Sequence, residues 1–242
     1  MLKILPVLFA RTDSSRLSHK VLLPFEGDKT IIEYLFNQIT DLKKISKHIQ
    51  DPILSTTRRT CDDSIIKECN KLNLKTFRGS LDPLLRLKEL SDRNSSVWYW
   101  RINCDSPFIY FDLILEAIKV LKIDSNLYIL NNILERSFPY GISVEIFNKK
   151  LFDSISFKTL NKEILENISP IQKIIKKNMI LCISSKKIIE YDFSTEVRLT
   201  LDTKEDYDFF KKLFHDQEFL KKTEGSKEKI IFVYEKKKNE KS

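Results

Sequence analysis

Three cations, Arg11, Arg16 and Lys20, fall within ten residues of one another in the stretch ARTDSSRLSHK, directly after the apolar run ILPVLF. Ser14 and Ser15 lie between them. Guanidinium and ammonium groups neutralise phosphate oxygens, and hydroxyl and backbone N–H groups add donors, so such a loop can grip a polyanion. Two aspartates extend the chemistry: Asp105 closes the aromatic run SSVWYWRIN, within NCDSP, and Asp202 closes EVRLTL. Carboxylates at two strand ends can hold Mg²⁺, leaving its other positions to water and phosphate oxygens. Each feature also has a plainer reading. A cationic turn is often only solvated, and a strand-end aspartate often caps the next helix. The three clusters share one rim, because ligands of open α/β sheets bind beyond the carboxyl ends of the strands. That joint placement raises a magnesium–nucleotide site to equal standing with the plainer reading.

The same sequence argues against other chemistries. The cationic loop has no glycine, and the chain shows neither G-x-x-x-x-G-K-[ST] nor G-x-G-x-x-G, so a P-loop or a dinucleotide turn is not expected. No G-x-S-x-G elbow occurs. Cys61, Cys69, Cys104 and Cys182 have no C-x-x-C spacing, and the three histidines are scattered. No zinc site can be read from them, and free thiols in a reducing cytoplasm are expected. The net charge of +8 is spread over pairs such as Lys43/Lys44, Lys211/Lys212 and Lys221/Lys222, and ends in EKKKNEK. This reads as solvated surface rather than a nucleic-acid groove. No run approaches 18 apolar residues, so no membrane span is expected. The opening MLKILPVLFA is interrupted by Pro6 and reads as a buried strand rather than a leader.

The positioning elements follow from periodicity. Ile32, Leu35, Phe36, Ile39 and Leu42 mark an amphipathic helix. PILSTT reads as a strand, DDSIIKECNKL as a helix, LKTFRGS as a strand and Leu84–Leu90 as a helix. SSVWYWRIN is a buried strand, FDLILEAIKVLK a helix, and NLYILNNI, ISVEIF and EVRLTL are strands. Thr203 and Asp206 offer a capping box for EDYDFFKKLF. Residues 148–185 read as a helical insertion. The tail beyond Thr223 is expected to add an edge strand, IIFVY, before disordered lysines. Strand–helix alternation of this kind predicts an α/β sandwich with a largely parallel sheet, a domain over 1–223 and a tail over 224–242.

The loop and the helix after it, ARTDSSRLSHKVLLPFEGDKTIIEYL, resemble the A-R-x-G-S-x-R-L-P-x-K signature of the sugar-acid cytidylyltransferases. That group includes the acylneuraminate and 3-deoxy-manno-octulosonate cytidylyltransferases, and the resemblance is strongest to the branch named for spore coat polysaccharide biosynthesis protein F. It recurs in order at TTRRTCDDSIIKECNKLNLKTFRGS, RINCDSPFI, NNILERSFPYGISVEIF and RLTLDTKEDYDFF, covering residues 2–215. The resemblance implies a three-layer α/β/α, Rossmann-like nucleotidyltransferase with a mostly parallel mixed sheet. It also implies a reaction in which a sugar hydroxyl attacks the α-phosphate of CTP, giving a CMP-sugar and pyrophosphate. Carried over by position, Arg11, Ser14, Arg16 and Lys20 would bind the triphosphate, with Phe9 and Ala10 facing the base and Arg78 near the nucleotide. Asp105 and Asp202 would hold Mg²⁺. Arg11, Arg16, Lys20 and Asp105 would carry the catalysis, and Arg101, Asn132, Glu135, Arg136 and Glu145 would contact the sugar acid. In relatives, the segment matching 148–185 helps form a homodimer.

The chain departs from the pattern at Asp13 (for Gly), Ser18 (for Pro), Cys104 (for Gly), Ser143 (for a carboxylate) and Asn167 (for His). A glycine-to-aspartate change can strain a turn that needs positive φ, and it sets a negative charge beside the triphosphate. These departures leave two alternatives in view: a degenerate homologue that only binds nucleotide or a partner, and transfer from a different nucleoside triphosphate.

Overall fold

The computed structural model describes residues 1–166, 171, 175–185 and 188–240. The chain opens with β1 (Ile4–Phe9), all of whose residues are buried. After the cationic loop, β2 (Pro24–Glu26) and β3 (Lys29–Thr30) form a small hairpin into α1 (Ile31–Ile45). Thr30 caps α1 by accepting from the Glu33 N–H, and Ile31, Ile32, Leu35, Ile39 and Leu42 form its buried face. Then follow β4 (Ile53–Thr57), α2 (Asp63–Lys71), β5 (Lys75–Gly79), α3 (Pro83–Asp92), β6 (Trp98–Asn103) and α4 (Phe111–Ile123). The second half supplies β7 (Ile129–Asn131), β8 (Glu145–Asn148), α5 (Lys149–Ser154), α6 (Lys162–Glu166), β9 (Ile180–Cys182), α7 (Lys204–Leu213), α8 (Gln217–Leu220) and α9 (Lys227–Asn239).

The main sheet runs β5-β4-β1-β6-β8-β7-β9. Strands β5, β4, β1 and β6 are parallel, β8 is antiparallel to both β6 and β7, and β9 is parallel to β7. Alternate residues of β1 feed two cores. Ile4 and Leu8 pack with α1, α2, α4, α7 and α9, while Leu5, Val7 and Phe9 pack with α3, α5 and α6. The result is the expected three-layer α/β/α sandwich with a mostly parallel mixed sheet. From β1 the chain first builds outward through β4 and β5, then returns to β6 on the other side of β1. The loop after β1 therefore sits at a topological switch point, where open α/β sheets leave a crevice.

Three expectations differ from the structure. EVRLTL points Val197, Leu199 and Leu201 inward as its alternation requires, but it makes a single bridge, Tyr140 to Arg198, rather than a strand. Its backbone is held instead by Leu199 N to Tyr140 O (2.6 Å) and Leu201 N to Asp105 O (2.7 Å). Within 148–185, β9 lies beside β7, so the segment is not purely helical; Asn167 lies outside the described residues. Finally, IIFVY is not an edge strand, and the lysines after it are helical to Asn239. Ser226 caps α9 by accepting from the Lys229 N–H; Lys229 is buried, and so are Ile230, Val233, Tyr234 and Lys237, which keep the i, i+3, i+4, i+7 spacing of a helix. A short apolar run does not by itself distinguish strand from buried helix, and here the flanking lysines complete the helical period.

Gly141 holds the rim together. Its φ is 99°, and a Cβ there would lie 2.3 Å from the Leu199 carbonyl oxygen. Gly141→Ala is expected to cost about 2 kcal/mol or more, read as a lower midpoint in urea unfolding. An unchanged midpoint would show that this close approach relaxes without penalty.

Candidate functional site

The cationic loop is irregular until Lys20, which opens a short 3-10 turn (Lys20–Leu22), so its shape rests on side chains that anchor it. Thr12 is buried and donates to Asp62 through both its N–H (2.9 Å) and its hydroxyl (2.8 Å). Asp62 is fully buried and also accepts from the Thr57 hydroxyl and from Arg59. Burial pushes the Asp62 carboxyl up, but the Thr57 and Thr12 hydrogen bonds and the Arg59 charge outweigh it and hold the group below 3.8. Its stabilising effect is therefore complete above the unfolded value near 3.8 and is lost as pH falls through the lower folded value. The fall in melting temperature between pH 7 and pH 3 is expected to shrink in Asp62→Asn. An undiminished fall would mean that other carboxylates dominate acid unfolding.

Asp13 does not take the left-handed conformation that glycine favours: among the described non-glycine residues only His19 and Asn73 have positive φ. Its carboxylate pairs with Arg59 (2.5 Å) and Arg11 (3.4 Å). The Arg59 hydrogen bond holds its carboxyl below the ordinary range against a smaller desolvation effect, and the Arg11 charge acts in the same direction. The departure from glycine thus brings no backbone strain, and its charge is neutralised locally.

Beyond the loop, the carboxyl ends of β1 and β6 and the segment before α7 enclose a cavity of about 370 Å³. Phe9, Ala10, Arg11, Ser14, Arg16, Lys20, Arg101, Asp105 and Asp202 all line it. Lys20, only 9 % exposed, lies between the two aspartates, with Nζ 3.1 Å from Asp105 Oδ2 and 3.0 Å from Asp202 Oδ1. Arg16 (3.1 Å) and Arg198 (3.1 Å) also pair with Asp202, and the Thr200 hydroxyl donates to it. Burial raises the Asp202 carboxyl, but Lys20, Thr200 and Arg16 together bring it below 3.8. The hydrogen bond from Leu201 N to Asp105 O fixes one carboxylate-bearing segment against the other. Asp105 and Asp202 offer hard oxygen donors of the kind that would hold Mg²⁺, and here the Lys20 ammonium neutralises both. Among the described residues no group of three or more His, Cys, Asp or Glu side chains could hold a metal, so further oxygen ligands would have to come from nucleotide and water.

The remaining predicted positions divide. Arg101 lines the cavity and pairs with Glu145 (2.7 Å), whose Oε2 has no partner among the described residues. Arg78 does not line the cavity; it bonds the carbonyls of Thr57 and Arg59 and pairs with Asp63 (2.6 Å), staying with the β4–α2 connection. Asn132 is buried and joins the β7 and β8 segments through Ile142 O and Val144 N. Glu135 is exposed. Arg136 stacks over Tyr140 (3.9 Å), which Arg198 also overlies (4.7 Å), and Arg198 links this cluster to the cavity rim by pairing with Asp202. The sequence reading missed Arg86, Asn103 and Arg198 near the cavity, and Thr12, Arg59 and Asp62 beneath the loop. Arg86 left one signal, a charged residue set among Leu84, Leu87 and Leu90 on the buried side of α3.

An open α/β sheet with a cationic loop and two carboxylates at its switch point defines a nucleotide-handling protein of the nucleotidyltransferase type. The cytidylyltransferase family profile matches residues 6–238, and the chain belongs to that family of nucleotidyltransferase enzymes. It is 27% identical over 216 residues to the spore coat polysaccharide biosynthesis protein SpsF of Bacillus subtilis, covering 87% of this chain and 86% of that one. It also resembles the solved cytidylyltransferase of Leptospira borgpetersenii, with 26% identity, a TM-score of 0.75 and coverage of 89% and 87%. A CMP:2-keto-3-deoxy-manno-octonic acid synthetase solved with CTP shares the fold, with 14% identity, a TM-score of 0.61 and coverage of 88% and 98%.

Proposed function

We propose that this enzyme is a Mg²⁺-dependent cytidylyltransferase that moves CMP from CTP to a sugar acid for surface polysaccharide or glycan synthesis. The observation that carries the reading is the meeting of Lys20 with Asp105 and Asp202 at the mouth of the cationic loop. Arg11, Ser14, Arg16 and Lys20 hold the triphosphate, and Phe9 and Ala10 border the nucleoside. Arg101 and Glu145 lie toward the acceptor. The acceptor oxygen forms a bond to the α-phosphorus, the bond from that phosphorus to the bridging oxygen breaks, pyrophosphate leaves, and the hydroxyl proton is released. Such a displacement needs in-line positioning and charge neutralisation more than covalent help, which the loop cations supply. Asp105 and Asp202 would hold Mg²⁺, which when bound neutralises developing charge on the phosphates.

The acceptor class is supported by the names of the two relatives, one acting in polysaccharide biosynthesis and one on 2-keto-3-deoxy-manno-octonic acid. Pyrophosphate release from CTP with a panel of 8- and 9-carbon keto-sugar acids is the test. No turnover with any member, together with no CTP binding, would sink the reading. Asp13→Gly is expected to preserve or improve CTP affinity, because it frees Arg11 from its carboxylate partner; loss of activity would give Asp13 a role of its own. The reading extends to a homodimer formed through 148–185, measurable by light scattering. It also extends to a cytoplasmic location, which the four free thiols favour.

A further inference from the structure

Asp202 ends a segment that makes one bridge and no strand, so its place depends on individual hydrogen bonds. One of these comes from behind the cavity. Asp206 Oδ2 accepts from the Asp202 N–H (3.1 Å) and the Thr203 N–H (3.1 Å), and the Asp206 N–H donates back to the Thr203 hydroxyl (3.3 Å). The second carboxylate oxygen, Asp206 Oδ1, faces Lys237 of α9, whose Nζ is 3.3 Å away. Lys237 is only 5 % exposed. Its Nζ lies 4.4 Å from the centroid of the Phe209 ring, and it also pairs with Glu240 (3.1 Å).

Two plainer roles do not account for the pair. Thr203 and Asp206 complete the capping box of α7 between themselves, and a cap needs no buried cation. Ile230, Val233 and Tyr234 already pack α9 against the core. A buried ion pair adds little net stability over apolar side chains of similar volume, because both charges lose their water. What the pair does fix is orientation: an aspartate held by a buried ammonium on one oxygen keeps the other on the two N–H groups. We propose, resting on the cytidylyltransferase reading, that Asp206 and Lys237 are positioning residues for Asp202, through which the last helix sets the backbone that carries the metal-binding carboxylate. Neither residue lines the cavity, so both act through Asp202 rather than on nucleotide or ion. Outer partners of a metal ligand govern affinity or activity by about 10–100-fold.

Asp206→Ala removes the acceptor, and Lys237→Met removes the charge while filling the space of the buried stem. Mn²⁺ binding without nucleotide, read by electron paramagnetic resonance, should weaken about tenfold in Asp206→Ala. In Lys237→Met it should weaken about threefold, the lower end for one hydrogen bond. Lys237→Arg keeps the charge and should lose less than Lys237→Met. The Mg²⁺ concentration for half-maximal pyrophosphate release should rise by the same factors, while KM for CTP at saturating Mg²⁺ stays within about twofold of wild type. A lower Tm with unchanged Mn²⁺ affinity and unchanged Mg²⁺ requirement in both variants would overturn the inference and leave a structural staple. Lys237→Met gives that answer alone if Asp206→Ala does not fold. Wild type that binds neither CTP nor Mn²⁺ would sink the cytidylyltransferase reading, and this inference with it.

Discussion

Lys20→Met is expected to raise the Kd for CTP with Mg²⁺ by about 100-fold, the loss of roughly two charge-assisted hydrogen bonds. The same change should strengthen binding of a divalent ion without nucleotide. In the ligand-free fold the ammonium neutralises Asp105 and Asp202 together. A metal entering alone must displace it, whereas incoming phosphates give it new partners. Methionine fills similar space and removes only the charge, so packing around the buried stem is retained. Asp202 keeps Arg16, Arg198 and the Thr200 hydroxyl, and the variant should fold. Calorimetry with CTP and electron paramagnetic resonance with Mn²⁺ read the two effects separately. A CTP affinity within threefold of wild type would remove Lys20 from the triphosphate site. Weaker metal binding would show that the lysine does not compete with the ion.

Asp202→Asn is expected to lower kcat/KM by about 10³, a loss near 4 kcal/mol in the transition state. The amide keeps the shape but not the charge. Lys20, Arg16 and Arg198 then face a neutral group, and Lys20 retains only Asp105. Removing one member of a buried charge cluster leaves the others uncompensated, so stability should fall as well, by about 2–4 °C in Tm per kcal/mol. Asp105→Asn provides the contrast. Its side chain is 32% exposed, and among the described residues Lys20 is its one ion-pair partner, with the Ser106 hydroxyl also donating to it, so the activity loss should match while the Tm loss is smaller. Steady-state pyrophosphate release and thermal melting on both variants check the pair. Activity of Asp202→Asn within tenfold of wild type would falsify the assignment of Asp202 as a metal ligand.

Much of the framework was legible because it depends on local period and local caps. The i, i+3, i+4 face of α1, the alternation of Val197, Leu199 and Leu201, and the Thr203–Asp206 capping box are all properties of short windows. The meeting of the loop with Asp105 and Asp202 was foreseeable from the rule that strand ends share one rim. What stayed hidden was the choice of partners. Arg78 and Arg86 are both arginines beside the β5–α3 connection, yet only Arg86 points into the cavity, while Arg78 finds Asp63 and two carbonyls on α2's side. Nothing in either residue's own neighbourhood fixes that choice. Asn132 matches a family block but is held by backbone of the β7–β8 connection, because a buried amide takes whatever donors and acceptors surround it. The final helix was misread because five apolar residues are too few to separate a period of 2 from one of 3.6.

The contact between Lys20 and Asp202 spans 182 residues of chain. Strands β1, β4, β5 and β6 are complete by Asn103, so the parallel half of the sheet can assemble early in synthesis, when domains form from the N-terminus. The second carboxylate does not exist until residue 202 has been made, and the loop cations lack their main acidic partner until then. A ligand that binds only the finished site stabilises only the finished chain. On the proposed function, a chain that stops before Asp202 lacks one of the two carboxylates that would hold Mg²⁺, so CTP with Mg²⁺ is expected to stabilise it less than the whole chain.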